Sequence, residues 1–208
     1  MYDKNDISII GYSGHSLVIL DAAKEAEIFI SGYCEREEKI FNPFNLKYLG
    51  NESNGNFDWN IIDKVIIGVG DNYVRKNIDE LLKFHHKELI TIAHPSAYIS
   101  SNAELGEGNF IAVNSVINAF SKVGNNCIIN TACVIEHECI IFDYVHIAPG
   151  AILTGGVTVG SCSFIGANAV LKNGVKIGEN AVVGAGSVVL HNIPDNEVWV
   201  GNPARKIK

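Results

Sequence analysis

The second half of the chain carries an aliphatic residue at every sixth position without a break, and the residues four places later are mostly small. One branched and one small inward side chain per six residues suit each side of a narrow three-sided coil, and a fixed period of this kind indicates a solenoid. The pattern predicts a parallel β-helix with eighteen residues per coil. The aliphatic positions are Ile99, Leu105, Ile111, Ile117, Val123, Ile129, Ile135, Ile141, Ile147, Leu153, Val159, Ile165, Leu171, Ile177, Val183 and Val189.

Residues 6–93 follow a different pattern, in which short apolar runs alternate with segments of helical spacing. Such alternation favours a parallel sheet covered by helices, so we predict a small Rossmann-like α/β domain. The apolar runs are Ile7–Ile10, Ile28–Tyr33, Lys64–Gly70 and Leu89–Ala93, and the helical segments are Leu17–Ala26 and one that begins near Asp71 or Asn72 and ends near His86. His94–Ala97 marks the junction, which gives predicted domains of 1–93 and 94–208.

Three loops of the first domain follow predicted strands, namely Gly11–His15, Glu35–Arg36 and Gly70–Asn72. Ligands of parallel α/β sheets bind at the carboxyl ends of the strands, so the loops predict a nucleotide pocket. The G-x-x-G-H turn is too short for a full dinucleotide fingerprint, but its amides could hold a pyrophosphate or a nucleobase. A simple tight turn is the alternative for this motif.

His137 is the candidate catalytic residue of the solenoid. Residues eighteen apart should stack on successive coils, which sets this imidazole between Ala119 and Gly155, with Gly156 above Glu138. The nearly bare neighbours leave a niche in which the imidazole could take a proton while a backbone N–H stabilises an oxyanion. Glu138 could raise the basicity of the ring if a corner brings the two side chains together. An exposed histidine in a turn is the alternative.

Small residues also stack at Pro149, Ala167 and Ala185. The column would leave a groove along the solenoid axis, wide enough for an extended chain such as the pantetheine arm of coenzyme A. His146 could add a polar contact near this groove, or it could be an ordinary surface residue.

Composition narrows the classes of function. The chain has 208 residues and a formal net charge of −7, which argues against general nucleic-acid binding. No run of eighteen residues is apolar, and Met1–Asp6 is charged rather than apolar, so we expect a cytoplasmic protein without membrane segments. Three of the five cysteines take the small inward position of the repeat, which predicts reduced, structural thiols.

Several motifs together resemble the bacterial nucleotide-sugar N-acetyltransferases, with sialic acid O-acetyltransferases as relatives. They are the G-x-S-G-H turn, the hexapeptide solenoid, the run N-T-A-C-V-I-E-H-E-C at 130–139 and the terminal G-N-P-A-R. The resemblance implies a left-handed β-helix. It also implies that the enzyme uses acetyl-CoA, without a metal, to acetylate the 4-amino group of a nucleotide-linked 4-amino-4,6-dideoxy sugar. UDP is the expected nucleotide carrier.

The resemblance also implies roles for individual residues. His137 would be the general base and Glu138 its acidic partner, in a direct transfer within a ternary complex. Acetyl-CoA would contact His146, Gly155, Ala167 and Ala185. The nucleotide sugar would be held by Ser13, Gly14, His15, Glu35, Arg36, Gly70 and Asn130. Relatives often have paired acidic residues where this chain has Cys34-Glu35-Arg36, so the recognised base is an open question.

The family further implies a homotrimer with active sites between neighbouring solenoids. Outward apolar residues independently favour an oligomer, because such a surface has to be covered. The residues expected at the interface are Phe110, Val116, Ile128, Val134 and Ile140.

Three alternatives stay open at the level of sequence. The same solenoid supports zinc enzymes with three converging histidines, but here only His137 and His146 lie in the central coils, on different sides. A non-catalytic scaffold would not need the glycine beside His137. O-acetylation of a sialic acid or another sugar hydroxyl would use the same base.

Overall fold

The computed structural model describes residues 7–208, so the expectation drawn from Met1–Asp6 lies outside the described residues. The described part consists of an α/β domain followed by a β-solenoid. Neither α-helix of residues 7–208 has the length and apolar character needed to cross a bilayer.

The N-terminal domain is a five-stranded parallel sheet, which confirms the predicted α/β architecture. Its strand order is β3-β2-β1-β4-β5, so the first strand lies at the centre. The elements are β1 (Ile7–Ile10), α1 (Gly14–Glu25), β2 (Ile30–Cys34), β3 (Lys47–Gly50), a 3₁₀ turn at Trp59–Ile61, β4 (Lys64–Ile67), α2 (Asn72–Phe84) and β5 (Glu88–Leu89). Strand β3 and the 3₁₀ turn were not predicted, and both lie between the second and third predicted apolar runs.

The helix starts follow local capping. Helix α2 begins where predicted, because the Asp71 side chain accepts from the backbone N–H groups of Tyr73 and Val74 at 3.0 and 2.9 Å. Helix α1 begins at Gly14, three residues before the predicted start. There the Ser16 hydroxyl accepts from the Ser13 N–H at 2.6 Å and so satisfies one donor at the helix entry.

The solenoid has three parallel sheets, named here B, C and D. Strands eighteen residues apart pair in register, as the pairing of Val116 with Val134 and Lys122 with Ile140 shows, so the predicted coil length is confirmed. Sheet B contains β6 (Ile92–Ala93), β9 (Phe110–Ile111), β12 (Ile128–Ile129), β15 (His146–Ile147), β18 (Phe164–Ile165) and β21 (Val182–Val183), and ends in β23 (Val198–Val200) and β24 (Arg205–Lys206). Sheet C contains β7 (Tyr98–Ile99), β10 (Val116–Ile117), β13 (Val134–Ile135), β16 (Ile152–Leu153), β19 (Val170–Leu171) and β22 (Val188–Val189). Sheet D contains β8 (Glu104–Leu105), β11 (Lys122–Val123), β14 (Ile140–Ile141), β17 (Thr158–Val159) and β20 (Lys176–Ile177).

The aliphatic repeat fills the solenoid interior. From Ile111 to Val189 every repeat position is at most 3% exposed, whereas Ile99 and Leu105 in the first coil are half-buried. Cys127, Cys133 and Cys139 are free thiols with no exposed surface, as predicted. Burial raises the pKa of all three thiols, to about 12, 12 and 11, so they stay protonated.

The junction differs from the prediction in one respect. The apolar run Leu89–Ala93 predicts one strand, but the structure divides this run between the sheet of the first domain and sheet B. Strand β5 pairs with β4 of the first domain, while β6 pairs with β9 of the solenoid. Solenoid pairing therefore begins at Ile92, two residues before the predicted boundary.

The N-terminal domain covers the outer face of sheet B. Phe110 and Ile128 are 2% and 1% exposed and pack in the same apolar cluster as Ile9, Tyr12 and Ile19. The prediction that Phe110 and Ile128 lie at a subunit interface is therefore wrong, because the chain buries them against its own first domain. The outer faces of sheets C and D carry the other three predicted residues.

Candidate active site

His137 and Glu138 lie at the edge between sheets C and D, called the C–D edge. Glu138 adopts φ 59°, a left-handed corner conformation that turns its side chain toward the preceding residue. As a result His137 Nδ1 lies 3.1 Å from Glu138 Oε2, although neighbours along a strand point to opposite faces. The two side chains are 56% and 69% exposed, so both are accessible in the single chain.

Gly155 lies directly against the imidazole, one coil away. A Cβ added at Gly155 would clash with His137 Cε1 and would lie 2.5 Å from its Nε2. Only glycine therefore lets the ring occupy this position. The N–H of Gly156 donates to the His137 carbonyl at 2.9 Å, whereas within residues 7–208 the N–H of Gly155 has no acceptor. The stacking predicted from the sequence is present.

A second polar cluster lies where the first domain meets the solenoid, on sheet B and beside the edge between sheets B and C, called the B–C edge. Asn130 Nδ2 lies 3.1 Å from His146 Nε2, and the rings of His146 and His15 are 6.3 Å apart. The backbone of Gly70 also acts on the His146 ring and raises its pKa. His15, Gly70, Asn130 and His146 therefore form one interdomain cluster, although His146 was predicted on the cofactor side.

Burial keeps both histidines of the interdomain cluster neutral. Desolvation, followed by the charge of Arg75, lowers the pKa of His15 and of His146 to about 4. Neither ring can therefore attract phosphate as a cation near neutral pH. The Nε2 atom of His15 is buried and has no hydrogen-bond partner among the described residues. Such an atom is available to a ligand that enters between the domains.

Three more of the predicted sugar-nucleotide residues line a separate cleft of about 340 Å³ at the carboxyl ends of β1 and β2, whereas Gly14, the first residue of α1, does not line it. Ser13, Glu35 and Arg36 lie on its wall, in the place expected for a parallel sheet. Glu35 accepts from the N–H groups of Tyr12 and Arg36, both at 3.0 Å. Burial raises the pKa of Glu35, but these bonds and Lys39 outweigh it and lower the pKa overall.

Two residues of this region escaped the sequence analysis. Glu52 follows β3 and lines the same cleft, where burial raises its pKa and leaves Oε2 without a partner among the described residues. Arg75 of α2 is 1% exposed and lies between the two domains. Neither residue belongs to a motif. Glu52 owes its position to strand β3, which was not predicted, and Arg75 owes its position to the packing of the two domains.

The predicted cofactor residues do not come together within one chain. Ala167 and Ala185 stack on adjacent coils at the B–C edge, whereas Gly155 lies at the C–D edge beside His137. Sheet C separates the two edges. Within residues 7–208, no group of three metal-binding side chains is arranged to hold a metal ion.

Comparisons with known proteins match both parts of the chain. The model of the PglD N-terminal domain matches residues 6–82, and the model of the bacterial transferase hexapeptide (six repeats) matches residues 156–191. GDP-perosamine N-acetyltransferase from Escherichia coli O157:H7 is 33% identical over 101 residues, which is 49% of this chain and 46% of that protein. UDP-N-acetylbacillosamine N-acetyltransferase from Bacillus subtilis is 36% identical over 109 residues, or 51% of this chain and 50% of that protein.

The chain thus aligns with about half the length of these curated relatives. The structural similarity is more extensive. PerB from Caulobacter crescentus, solved in complex with CoA and GDP-perosamine, has a TM-score of 0.89 and 29% identity, and the match covers 98% of this chain and 97% of that one. The first domain thus matches the PglD N-terminal domain, coils of the solenoid match the bacterial transferase hexapeptide repeats, and nearly the whole of PerB shares the fold.

Proposed function

We propose that this chain is an acetyl-CoA-dependent N-acetyltransferase of a nucleotide-linked amino sugar. The observation that carries the proposal is the accessible imidazole of His137, which has a carboxylate on one nitrogen and a bare glycine beside the other. Two relatives are named as N-acetyltransferases of GDP-perosamine and UDP-N-acetylbacillosamine, and PerB was solved with CoA and GDP-perosamine.

The geometry at His137 supports the role of a general base. A carboxylate only accepts hydrogen bonds, so Glu138 favours the tautomer with the proton on Nδ1. The lone pair is then on Nε2, which can take a proton from the sugar amine as this amine attacks the thioester. The N–H of Gly155 would stabilise the oxyanion. Transfer would be direct, because the cysteines near this level of the solenoid are buried inside it.

Assembly would complete the site. His137 is at the C–D edge, whereas Asn130 is at the B–C edge, with sheet C between them, and His146 lies beside Asn130 on the outer face of sheet B. If solenoids pack in a ring through sheet C, the C–D edge of each copy meets the B–C edge of the next. The outward column of sheet C is apolar throughout, and consists of Tyr98, Val116, Val134, Ile152, Val170 and Val188. We therefore propose a homotrimer that buries this column.

A charge placed on the column should separate the subunits. Ile152→Glu is expected to give a folded monomer without acetyl transfer, because Ile152 is 39% exposed in the single chain and the carboxylate stays solvated there. Light scattering after gel filtration measures the mass, and circular dichroism checks the fold. Thr158→Glu, which places the same carboxylate outward on sheet D, is the control and should stay trimeric. An active trimeric Ile152→Glu variant would contradict this interface.

A panel of acceptors tests the function itself. The purified chain is mixed with acetyl-CoA and one of GDP-perosamine, a UDP-linked or dTDP-linked 4-amino-4,6-dideoxy sugar, or a free sialic acid, and release of the coenzyme A thiol is followed. We expect release with at least one amino sugar, and the best substrate decides between UDP, the carrier expected from the sequence, and GDP. Release with sialic acid alone would favour O-acetylation. No release with any acceptor would refute the proposed function.

A further inference from the structure

Arg75 uses all five guanidinium hydrogens although it is almost completely buried. Its Nε donates to the carbonyl of Asn126 at 2.7 Å, and Nη1 donates to the carbonyls of Val69 and Gly70, both at 3.1 Å. Its Nη2 donates to Asn72 Oδ1 at 2.8 Å and to the Tyr144 carbonyl at 2.9 Å. Five donors meet five acceptors, so the geometry of the side chain is fully determined.

These acceptors lie on both sides of the domain boundary. Val69 and Gly70 belong to the loop after β4, whereas Asn126 and Tyr144 are corner residues on two successive coils of the solenoid. Four of the five acceptors are backbone carbonyls and none is a carboxylate. Burial of a guanidinium without a carboxylate partner is unfavourable. Because Arg75 is nevertheless buried among backbone carbonyls, its role is to hold the backbone of the two domains together rather than to form an ion pair.

The Gly70 carbonyl connects Arg75 to the predicted active-site residues. The Asn130 Oδ1 accepts from the Thr131 N–H at 2.8 Å, which turns its amide nitrogen toward His146 Nε2. Because an amide NH₂ group only donates, Nε2 of His146 must accept and the ring proton must be on Nδ1. The backbone of Gly70, which Arg75 binds, raises the pKa of this ring. The Tyr144 carbonyl that Arg75 also binds lies two residues before His146 on the same coil.

We propose that Arg75 is a positioning residue for the acceptor sugar, acting through the Gly70 carbonyl and His146 on the amide of Asn130. Arg75 fixes the loop against the solenoid, the loop fixes the tautomer of His146, and His146 orients the Asn130 amide. Burial together with the charge of Arg75 keeps His146 neutral, so a single tautomer can persist. This role rests on the proposed function, since Asn130 is expected beside the reacting amine.

The test compares Arg75→Lys and Arg75→Met with the wild-type protein. Lysine keeps the charge but cannot reach both groups of acceptors, because its three donors lie on one nitrogen. We expect Arg75→Lys to fold and to lose roughly 10- to 100-fold in kcat/KM for the nucleotide sugar. Arg75→Met should lose more activity and also stability. Lys76→Met, which removes a neighbouring cation of α2, is the control and should keep wild-type kinetics.

A second measurement does not depend on activity. In protein labelled with ¹⁵N-histidine, the imidazole nitrogens of His146 are assigned by comparison with His146→Gln, and their shifts report the tautomer. The wild-type protein should show only the Nδ1–H form, and Arg75→Lys a mixture of both forms. A folded Arg75→Lys variant with an unchanged tautomer and unchanged kcat/KM would overturn the inference. If the wild-type protein transfers no acetyl group but the tautomer still depends on Arg75, the proposed function fails and the coupling stands.

Discussion

His137→Ala is expected to reduce acetyl transfer by roughly 10²- to 10⁴-fold, which is the usual contribution of a general base. The effect should be on kcat, because the ring acts on a proton in the transition state and makes no large binding surface. Fold and assembly should persist. The side chain is 56% exposed, and its hydrogen bond is to Glu138, itself 69% exposed, so the mutation leaves no buried group unpaired.

Release of the coenzyme A thiol at saturating concentrations of both substrates gives kcat for this variant. His191→Ala, which removes an exposed histidine beyond the last repeat position, serves as the control and should behave like the wild-type protein. Gel filtration shows whether the subunits still associate. A folded His137→Ala variant with wild-type turnover would show that His137 is not the general base. The interdomain cluster would then be the next candidate for the source of the base.

The regular features of the fold could be predicted from the sequence because they repeat. A period of six residues implies coils of eighteen, and the coil length alone brings Gly155 against His137. The contact between His137 and Glu138 could be predicted only if a corner brought the two side chains together, because it depends on the left-handed conformation of Glu138. Periodicity thus determined both the architecture and the candidate base.

The packing of the two domains could not be predicted in the same way. Phe110 and Ile128 have the same outward register as Val116 and Val134, and nothing in the repeat distinguishes the sheet that the first domain covers. For this reason Phe110 and Ile128 were wrongly predicted to lie at a subunit interface. His146 lies in the same covered register, which explains why it is found in the interdomain cluster with Asn130.

Arg75 illustrates the same limit. On the sequence it is one cation within a helix, and its neighbour Lys76 is of the same type. Its five acceptors come from the loop after β4, from α2 and from two coils of the solenoid, so only the assembled domains reveal its burial. Isolated residues whose partners are distant in the chain are therefore the part of this site that pattern analysis misses.

Gly155→Ala is expected to reduce acetyl transfer by about 100-fold while the protein stays folded. The added methyl group would overlap the position of the His137 ring, lying 2.5 Å from Nε2. Because this ring is largely exposed, it can swing into solvent and relieve the overlap at little cost in stability. Gly155 has no positive φ angle, so alanine can adopt its backbone conformation. Gly55→Ala, at a glycine with no atom within 4 Å of the added Cβ, is the control.

The double variant shows how Gly155 acts. If the methyl group works only by displacing the imidazole, adding Gly155→Ala to His137→Ala should cost nothing further, and the two losses will be strongly non-additive. The rate of coenzyme A release from the four proteins of this cycle measures the coupling. Fully additive losses would mean that the added methyl group acts independently of the ring, for example by keeping the oxyanion away from the free N–H of residue 155, and that the stacking of glycine on imidazole is not what prepares the base.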